Sequence, residues 1–152
     1  MKPRIRMGLI VGGIGLLLNV CIAALMGICG PFVSLLAGGV AGYLAVQQEK
    51  PSIKSEGGKI GAIAGSIAGA LVSIGQIIGG VVALSFIQMS GIQSPIGQVP
   101  SVNGSPVEIA AYYLGGLGTG VCFGLIGIVL AAGIGAAAGY ISTNEQPVSP
   151  PQ

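Results

Sequence analysis

Hydrophobic and polar positions divide the chain into four long apolar segments, separated by polar or turn-forming stretches. The segments cover approximately residues 7–28, 31–46, 58–89 and 108–141. Each is continuously apolar rather than alternating, which favours helices over the strands of a barrel. Because a bilayer core about 30 Å thick is crossed by about 20 helical residues, the pattern predicts an all-α, polytopic membrane protein. We expect a single four-helix transmembrane domain over residues 1–141.

The stretches between the segments differ in character. Gly27 to Pro31 has the composition of a tight turn, with Pro31 suited to the first position of the next helix. Residues 47–59 are polar and charged, and residues 90–106 are rich in Gly, Ser, Pro and Gln. The end of the chain, residues 142–152, is short and proline-rich, so we predict a disordered tail.

Glycines recur every fourth residue within the third and fourth segments. In water an interior glycine costs a helix about 1 kcal/mol relative to alanine, whereas in lipid the same spacing lets a neighbouring backbone approach closely. The pattern therefore predicts glycine-rich packing faces. Their partners are either other helices of the same bundle or the helices of another subunit. The predicted packing residues are Gly61, Gly65, Gly69, Gly116, Gly120 and Gly124.

Two pairs of matching motifs suggest an internal repeat. Arg6-Met7-Gly8 resembles Lys59-Ile60-Gly61, and each is followed by a further glycine four residues later. Ala41-Gly42-Tyr43 resembles Ala138-Gly139-Tyr140, near the ends of the second and fourth segments. The spacing favours two tandem-duplicated helical hairpins in the same orientation.

Charge is scarce and lies almost entirely outside the apolar segments. Only 7% of the residues are charged, against about 25% in soluble domains, and a net charge of +2 does not favour nucleic-acid binding. All six Lys and Arg residues lie within residues 2–6 or 50–59. The positive-inside rule places both regions, and hence both chain termini, in the cytoplasm. Together with an uncleaved first span, this predicts a prokaryotic cytoplasmic membrane as the location.

Polar residues within the segments are few. An amide in hydrocarbon costs several kcal/mol unless it finds a hydrogen-bond partner. Interhelical hydrogen bonding accounts for such residues, and a path for water or a solute is the alternative. The residues concerned are Asn19, Ser73, Gln76 and Thr119.

The sequence lacks the usual side chains of catalysis and metal binding. There is no histidine, which removes the commonest general base and the commonest metal ligand. Cys21, Cys29 and Cys122 lie in or beside apolar segments without a Cys-x-x-Cys pair, which predicts buried thiols rather than a disulfide framework or a zinc site. We therefore expect no enzyme activity, no catalytic residue, no metal and no cofactor.

In architecture alone, four spans in paired hairpins resemble the proteolipid rotor subunits of V-type ATPases. That resemblance implies a carboxylate deep within a span. A resemblance to the small four-span multidrug exporters would imply the same. The middle of the fourth segment, residues 119–124, contains no acidic residue, so no proton relay is evident. The sequence favours a non-catalytic accessory or assembly subunit that contacts lipid and either other membrane subunits or its own copies. The alternative is a small oligomeric transporter or channel with a weakly polar path.

Overall fold

The protein is all-helical in the computed structural model, which describes residues 2–25, 30–90, 100 and 104–144, without the side chains of residues 23–25, 30 and 31. Four helices follow one another along the chain: α1 Pro3–Leu25, α2 Gly30–Glu49, α3 Lys54–Ser90 and α4 Pro106–Ser142. Helices α2, α3 and α4 each contain one of the predicted apolar segments, and α1 covers the first as far as residue 25, so the predicted helical class is confirmed. The predicted tail lies outside the described residues from position 145 onwards.

Local capping interactions set two of the helix ends. Ser105 precedes α4 and forms a capping box with Glu108: the Glu108 N–H donates to Ser105 Oγ at 3.3 Å, and the Ser105 N–H donates to Glu108 Oε2 at 3.2 Å. At the other end of the bundle, α2 stops where Lys50 adopts the left-handed conformation, with φ 47°. The Lys50 N–H still donates to the Val46 carbonyl at 2.8 Å, which closes the last turn.

Replacing Ser105 by alanine should destabilise the protein by about 1 kcal/mol, because the first turn of α4 loses the side-chain acceptor for one of its free N–H groups. Thermal unfolding in detergent measures the change, with Ser55→Ala as the control for an exposed serine. If Ser105→Ala unfolds at the wild-type temperature, the capping box contributes nothing to stability.

The four helices form an antiparallel bundle in which α2 and α3 each contact all three other helices. Within the described residues, α1 and α4 do not contact each other. The N-terminal end of α1 meets the C-terminal end of α2, where the main-chain N–H of Arg4 donates to Glu49 Oε1 at 2.9 Å. Helices α3 and α4 meet in the same antiparallel sense, with Gly57 against Gly139.

The core of the bundle is built from small residues. Its buried apolar members include four alanines of α2 and α3 that are fully buried, and the largest fully buried side chains are Val72, Asn19 and Ser34. Large apolar side chains such as Leu17, Phe86 and Val129 instead lie on the outside, at 64–71% exposure. Small residues inside and large apolar residues outside is the arrangement expected where lipid rather than water surrounds the helices.

Within the described residues, three helices are long and apolar enough to cross a membrane: α1 over Pro3–Ile22, α3 over Lys54–Ser90 and α4 over Pro106–Ser142. These make the chain a multi-pass membrane protein. At about 1.5 Å per residue, the 37 residues of α3 and of α4 exceed a bilayer core of about 30 Å. Helix α2 has 20 residues and is not one of the three.

The packing of the two hairpins is not related by a two-fold axis. In a symmetric repeat the contact between α2 and α3 would have its equivalent between α4 and α1, and the latter two helices do not touch in the described part of the chain. The matched glycines also differ in partner: Gly12 packs on Ala68 of α3, whereas Gly65 packs on Ala131 of α4. A duplication in the sequence stays a prediction.

Candidate polar and helix-packing sites

Asn19 is the most deeply buried of the predicted polar residues. Its exposure is 0%, and its amide Nδ2 donates to the Val72 carbonyl of α3 at 2.9 Å. The amide oxygen Oδ1 is buried without a hydrogen-bond partner among the described residues. The Nδ2 group of this amide thus joins α1 to α3, whereas its Oδ1 atom has no hydrogen-bond partner among the described residues.

Ser73 joins α3 to α4. Its hydroxyl lies 2.8 Å from the Gly69 carbonyl within α3 and 2.9 Å from the Gly124 carbonyl of α4, so one O–H is shared between two acceptors. The approach depends on Gly124, where a Cβ would lie 3.2 Å from the Ser73 Cβ. The bond therefore belongs to a place where two helices come unusually close.

Ser34 of α2 is a further buried polar residue near Ser73, although the sequence analysis did not select it. Ser34 is 0% exposed, and a Cβ at Gly127 would lie 2.9 Å from Ser34 Oγ and 3.9 Å from Ser73 Oγ. A serine within an apolar segment usually bonds to its own helix, so the sequence offered no signal for it. All four helices thus contribute to one buried layer, through Asn19, Ser34, Ser73 and the glycine backbone of α4.

Gln76 and Thr119 differ in burial and in hydrogen bonding. Gln76 is 6% exposed and forms no side-chain hydrogen bond with any described residue. It lines a small groove between α3 and α4. Thr119 is exposed on the outside of α4, where its hydroxyl donates to the Gly115 carbonyl at 2.9 Å. The structure therefore brings three of the four predicted polar residues to the inside of the bundle and leaves Thr119 on the outside.

The predicted glycines of α3 lie against the backbone of α4. A Cβ at Gly61 would collide with the Gly135 carbonyl oxygen, and a Cβ at Gly65 with the Ala131 carbonyl oxygen. At Gly69 it would lie 2.8 Å from the Ala131 Cβ. A side chain at any of these three positions would force α3 and α4 apart.

The predicted glycines of α4 are less tightly enclosed. A Cβ at Gly116 would meet only the Leu84 side chain, and one at Gly120 would lie 3.8 Å from Ile77 Cγ1. The closest approaches of α4 to another backbone occur further along, at Gly135 and Gly139, which the sequence analysis did not predict as packing residues. Gly135 and Gly139 are four residues apart, but they do not fall on the every-fourth-residue series of Gly116, Gly120 and Gly124, so the spacing did not select them.

Leucine at Gly65 should therefore destabilise the protein much more than leucine at Gly120. At Gly65 two backbones must separate, and overpacking of this kind costs about 1–3 kcal/mol or more. At Gly120 the neighbour within 4 Å is a side-chain atom, Ile77 Cγ1, at 3.8 Å, which is ordinary van der Waals contact. Thermal unfolding of the two variants in detergent tests this order, and equal losses of stability would contradict it.

A second polar cluster joins the C-terminal end of α3 to the N-terminal part of α4. Tyr113 Oη donates to Gln88 Oε1 at 2.9 Å and lies 3.3 Å from Ser85 Oγ, while Gln88 Nε2 lies 3.4 Å from the Pro100 carbonyl. The sequence analysis did not identify this cluster, because Tyr113 is 28 residues from Ser85 and 25 from Gln88 along the chain. Its hydrogen bonds connect the two helices to each other and to the Pro100 carbonyl.

Other candidate chemistry is sparse in the described residues. No group of three His, Cys, Asp or Glu residues there could hold a metal ion. Cys21 and Cys122 are free thiols, both exposed rather than buried as predicted, and Cys29 lies outside the described residues. Their exposure follows from the bundle, because both residues lie on helix faces that point away from the neighbouring helices.

No protein-family model, curated protein or solved structure matches this chain.

Proposed function

We propose that this chain is a non-catalytic integral membrane protein, an accessory or assembly subunit that packs against other subunits, or against its own copies, through glycine-rich helix faces. The observation that carries the proposal is a second set of glycines, on the outside of α4. A Cβ at Gly115, Gly118 or Gly133 would meet nothing within 4 Å. These positions fall on one side of the helix, together with the exposed Cys122. Small residues on a lipid-facing surface favour close approach by another helix.

The filled interior of the bundle also supports a structural role. Asn19 and Ser73 each donate to a main-chain carbonyl of a neighbouring helix, so these polar groups join helices. The groove beside Gln76 has a volume of about 20 Å³, which is room for roughly one water molecule. A solute would need a far larger space.

A path formed between copies of the chain is the second candidate. It is favoured by Thr119, an exposed hydroxyl in the middle of α4, and by the Gln76 amide, which has no hydrogen-bond partner among the described residues. In an oligomer, outward-facing Thr119 side chains from several copies would line a common path. This transporter or channel would be passive, because neither residue titrates.

Purification from the native membrane in a mild detergent, followed by identification of the co-purifying chains, tests the proposal. We expect a stable complex that Gly118→Leu or Gly115→Leu disrupts, because a large side chain would block the approaching helix. Thermal unfolding of the separated chain should stay unchanged, since both positions are open. The matched control is Leu114→Ala, which shortens a large side chain on the same helix. This variant should leave the complex intact.

Reconstitution into liposomes separates the two candidates. The subunit proposal expects no proton-driven solute uptake and no ion conductance. Flux that Gln76→Leu or Thr119→Val abolishes, while the protein stays folded, would overturn the subunit role and establish the transporter.

We also propose that α2 spans the membrane as a fourth helix and that both termini are cytoplasmic, in the cytoplasmic membrane of a prokaryote. The length of α2, 20 residues, fits a bilayer core of about 30 Å. The six basic residues all lie at the end of the bundle that holds the N-terminus, as the positive-inside rule requires of the cytoplasmic side. In a chain without native cysteines, Ser55→Cys should react only from the cytoplasm and Gly104→Cys only from outside. Labelling of both from one side would contradict four spans.

A further inference from the structure

All six basic side chains lie at the end of the bundle that holds the N-terminus of α1. Among the described residues this end carries two carboxylates, Glu49 and Glu56, and the other end carries only Glu108 as a charged group. Glu49 is used in an ion pair, with its Oε1 at 3.9 Å from Arg4 Nε. The basic residues that are exposed and form no ion pair with any described residue are Lys2, Arg6, Lys50 and Lys59.

One part of this basic end gathers several polar groups around an open surface. Lys54 and Lys59 lie in the first two turns of α3, and Lys54 Nζ lies 5.9 Å from the centre of the Tyr140 ring of α4. Residues three and four apart are neighbours on a helix surface, so Ser55 and Gly58 lie between the two lysines. A Cβ at Gly58 would come no closer than 3.7 Å to another atom. The surface at Gly58 is therefore open.

The groups around Gly58 match the chemistry of a phosphate. Two ammonium groups supply positive charge, and lysine is a common phosphate-binding residue. Ser55 is exposed and Tyr140 is 52% exposed, so both hydroxyls can donate to phosphate oxygens. Tyrosine is also enriched where a membrane meets water, because its ring is apolar and its hydroxyl is polar. The arrangement suits an anion at the level of the lipid headgroups.

The surface of α3 next to these groups is apolar, which favours a phospholipid over a free anion. Ile63 lies one turn further along α3 than Lys59 and is 41% exposed. Beside it, the Ser66 hydroxyl donates to the Ala62 carbonyl at 2.8 Å and so is satisfied within its own helix. An acyl chain can lie along this surface while the phosphate stays at the lysines. Basic clusters at the end of a membrane-spanning helix are typical of anionic-lipid sites.

We propose that Lys54 and Lys59 of α3, with Tyr140 of α4, form a binding site for the headgroup of an anionic phospholipid. The two ammonium groups lie on either side of the phosphate, and the Ser55 and Tyr140 hydroxyls donate to its oxygens. The assignment depends neither on the assembly role proposed above nor on which side of the membrane this end faces, because every group belongs to a single chain.

Native mass spectrometry of the full chain in detergent micelles, titrated with phosphatidylglycerol, tests the site. We expect tighter binding of phosphatidylglycerol than of phosphatidylcholine, whose headgroup has no net charge. Lys59→Gln should weaken the binding of phosphatidylglycerol about fivefold, and Lys54→Gln/Lys59→Gln about 25-fold. Lys59 is exposed, so thermal unfolding of the single variant should match the wild type. Equal affinity for the two lipids, or wild-type affinity in the double variant, would overturn the proposal.

The matched control removes the same charge from α1. Lys2→Gln/Arg6→Gln deletes two exposed cations at the same end, and α1 does not contact α4 within the described residues. We therefore expect this variant to keep most of its affinity for phosphatidylglycerol. Equal weakening by the two double variants would show a diffuse attraction to the whole basic end and overturn the site. Displacement of the lipid by millimolar inorganic phosphate would identify a free anion as the ligand and overturn the choice of a phospholipid.

Discussion

Replacing Gly135 by leucine should lower the free energy of unfolding by on the order of 3 kcal/mol or more. A loss at the upper end would prevent the four helices from packing into the bundle. A Cβ at this position would lie 2.5 Å from the Gly61 carbonyl oxygen, 3.0 Å from the Gly38 carbonyl oxygen and 3.1 Å from the Gly65 Cα. All three neighbours are backbone atoms, on α2 and α3. They cannot move aside as a side chain can, so the helices themselves must separate.

Gly133 offers the control on the same helix, two residues away. A Cβ there would meet nothing within 4 Å, so Gly133→Leu should leave thermal unfolding in detergent close to that of the wild type. The comparison holds the type of substitution, the helix and the depth nearly constant, and changes only the direction in which the side chain points. Equal unfolding temperatures for the two variants would show that the packing of α4 on α2 and α3 is wrong.

A carboxylate in place of the Asn19 amide should destabilise the protein by about 3 kcal/mol, as expected for an acidic side chain near the centre of a membrane helix. Aspartate has nearly the same shape as asparagine, so the change is one of charge and hydrogen bonding rather than packing. The ionised side chain cannot donate to the Val72 carbonyl, which accepts from Asn19 Nδ2 at 2.9 Å. It would instead place two acceptors against each other at a residue with 0% exposure.

Asn19→Leu separates the loss of the hydrogen bond from the introduction of a charge. Leucine removes the bond to Val72 but also removes the unpaired Oδ1, and single interhelical hydrogen bonds in membranes contribute only about 0.6 kcal/mol on average. We therefore expect a small change for leucine and a large one for aspartate in thermal unfolding at pH 8. Wild-type stability of Asn19→Asp would mean that residue 19 is in contact with solvent rather than buried.

The glycine pattern shows how far the sequence could predict the packing. Gly61, Gly65 and Gly69 were selected by their spacing, and all three lie against α4. Gly120 was selected by the same spacing and has only a distant side-chain neighbour, whereas Gly135 meets backbone on two sides. Spacing shows that glycines share one face of a helix, but it carries no information on where along that face another helix crosses.

The polar residues show a similar limit. Asn19 and Gln76 were selected because an amide side chain in hydrocarbon is energetically costly, and both residues are buried. Ser34 and Ser73 have the same side chain within apolar segments, yet only Ser73 was selected. Both lie beside Gly127 of α4, so their shared position depends on the pairing of three helices. A common neighbour of two residues 39 positions apart in the sequence leaves no local signal.

The sequence by itself determined the helices and their surroundings. In lipid the backbone must satisfy its own hydrogen bonds, and a helix does so locally, so continuous apolar segments were enough to predict α1 to α4 and a membrane environment for three of them. Only the tertiary structure decided which helices touch, that α1 and α4 remain apart in the described residues, and which glycines face a backbone. Those outcomes depend on how each helix is rotated and crossed against its neighbours. With glycine on nearly every face, the chain offers several close-packed rotations, and the choice among them rests on the fit of all four helices at once.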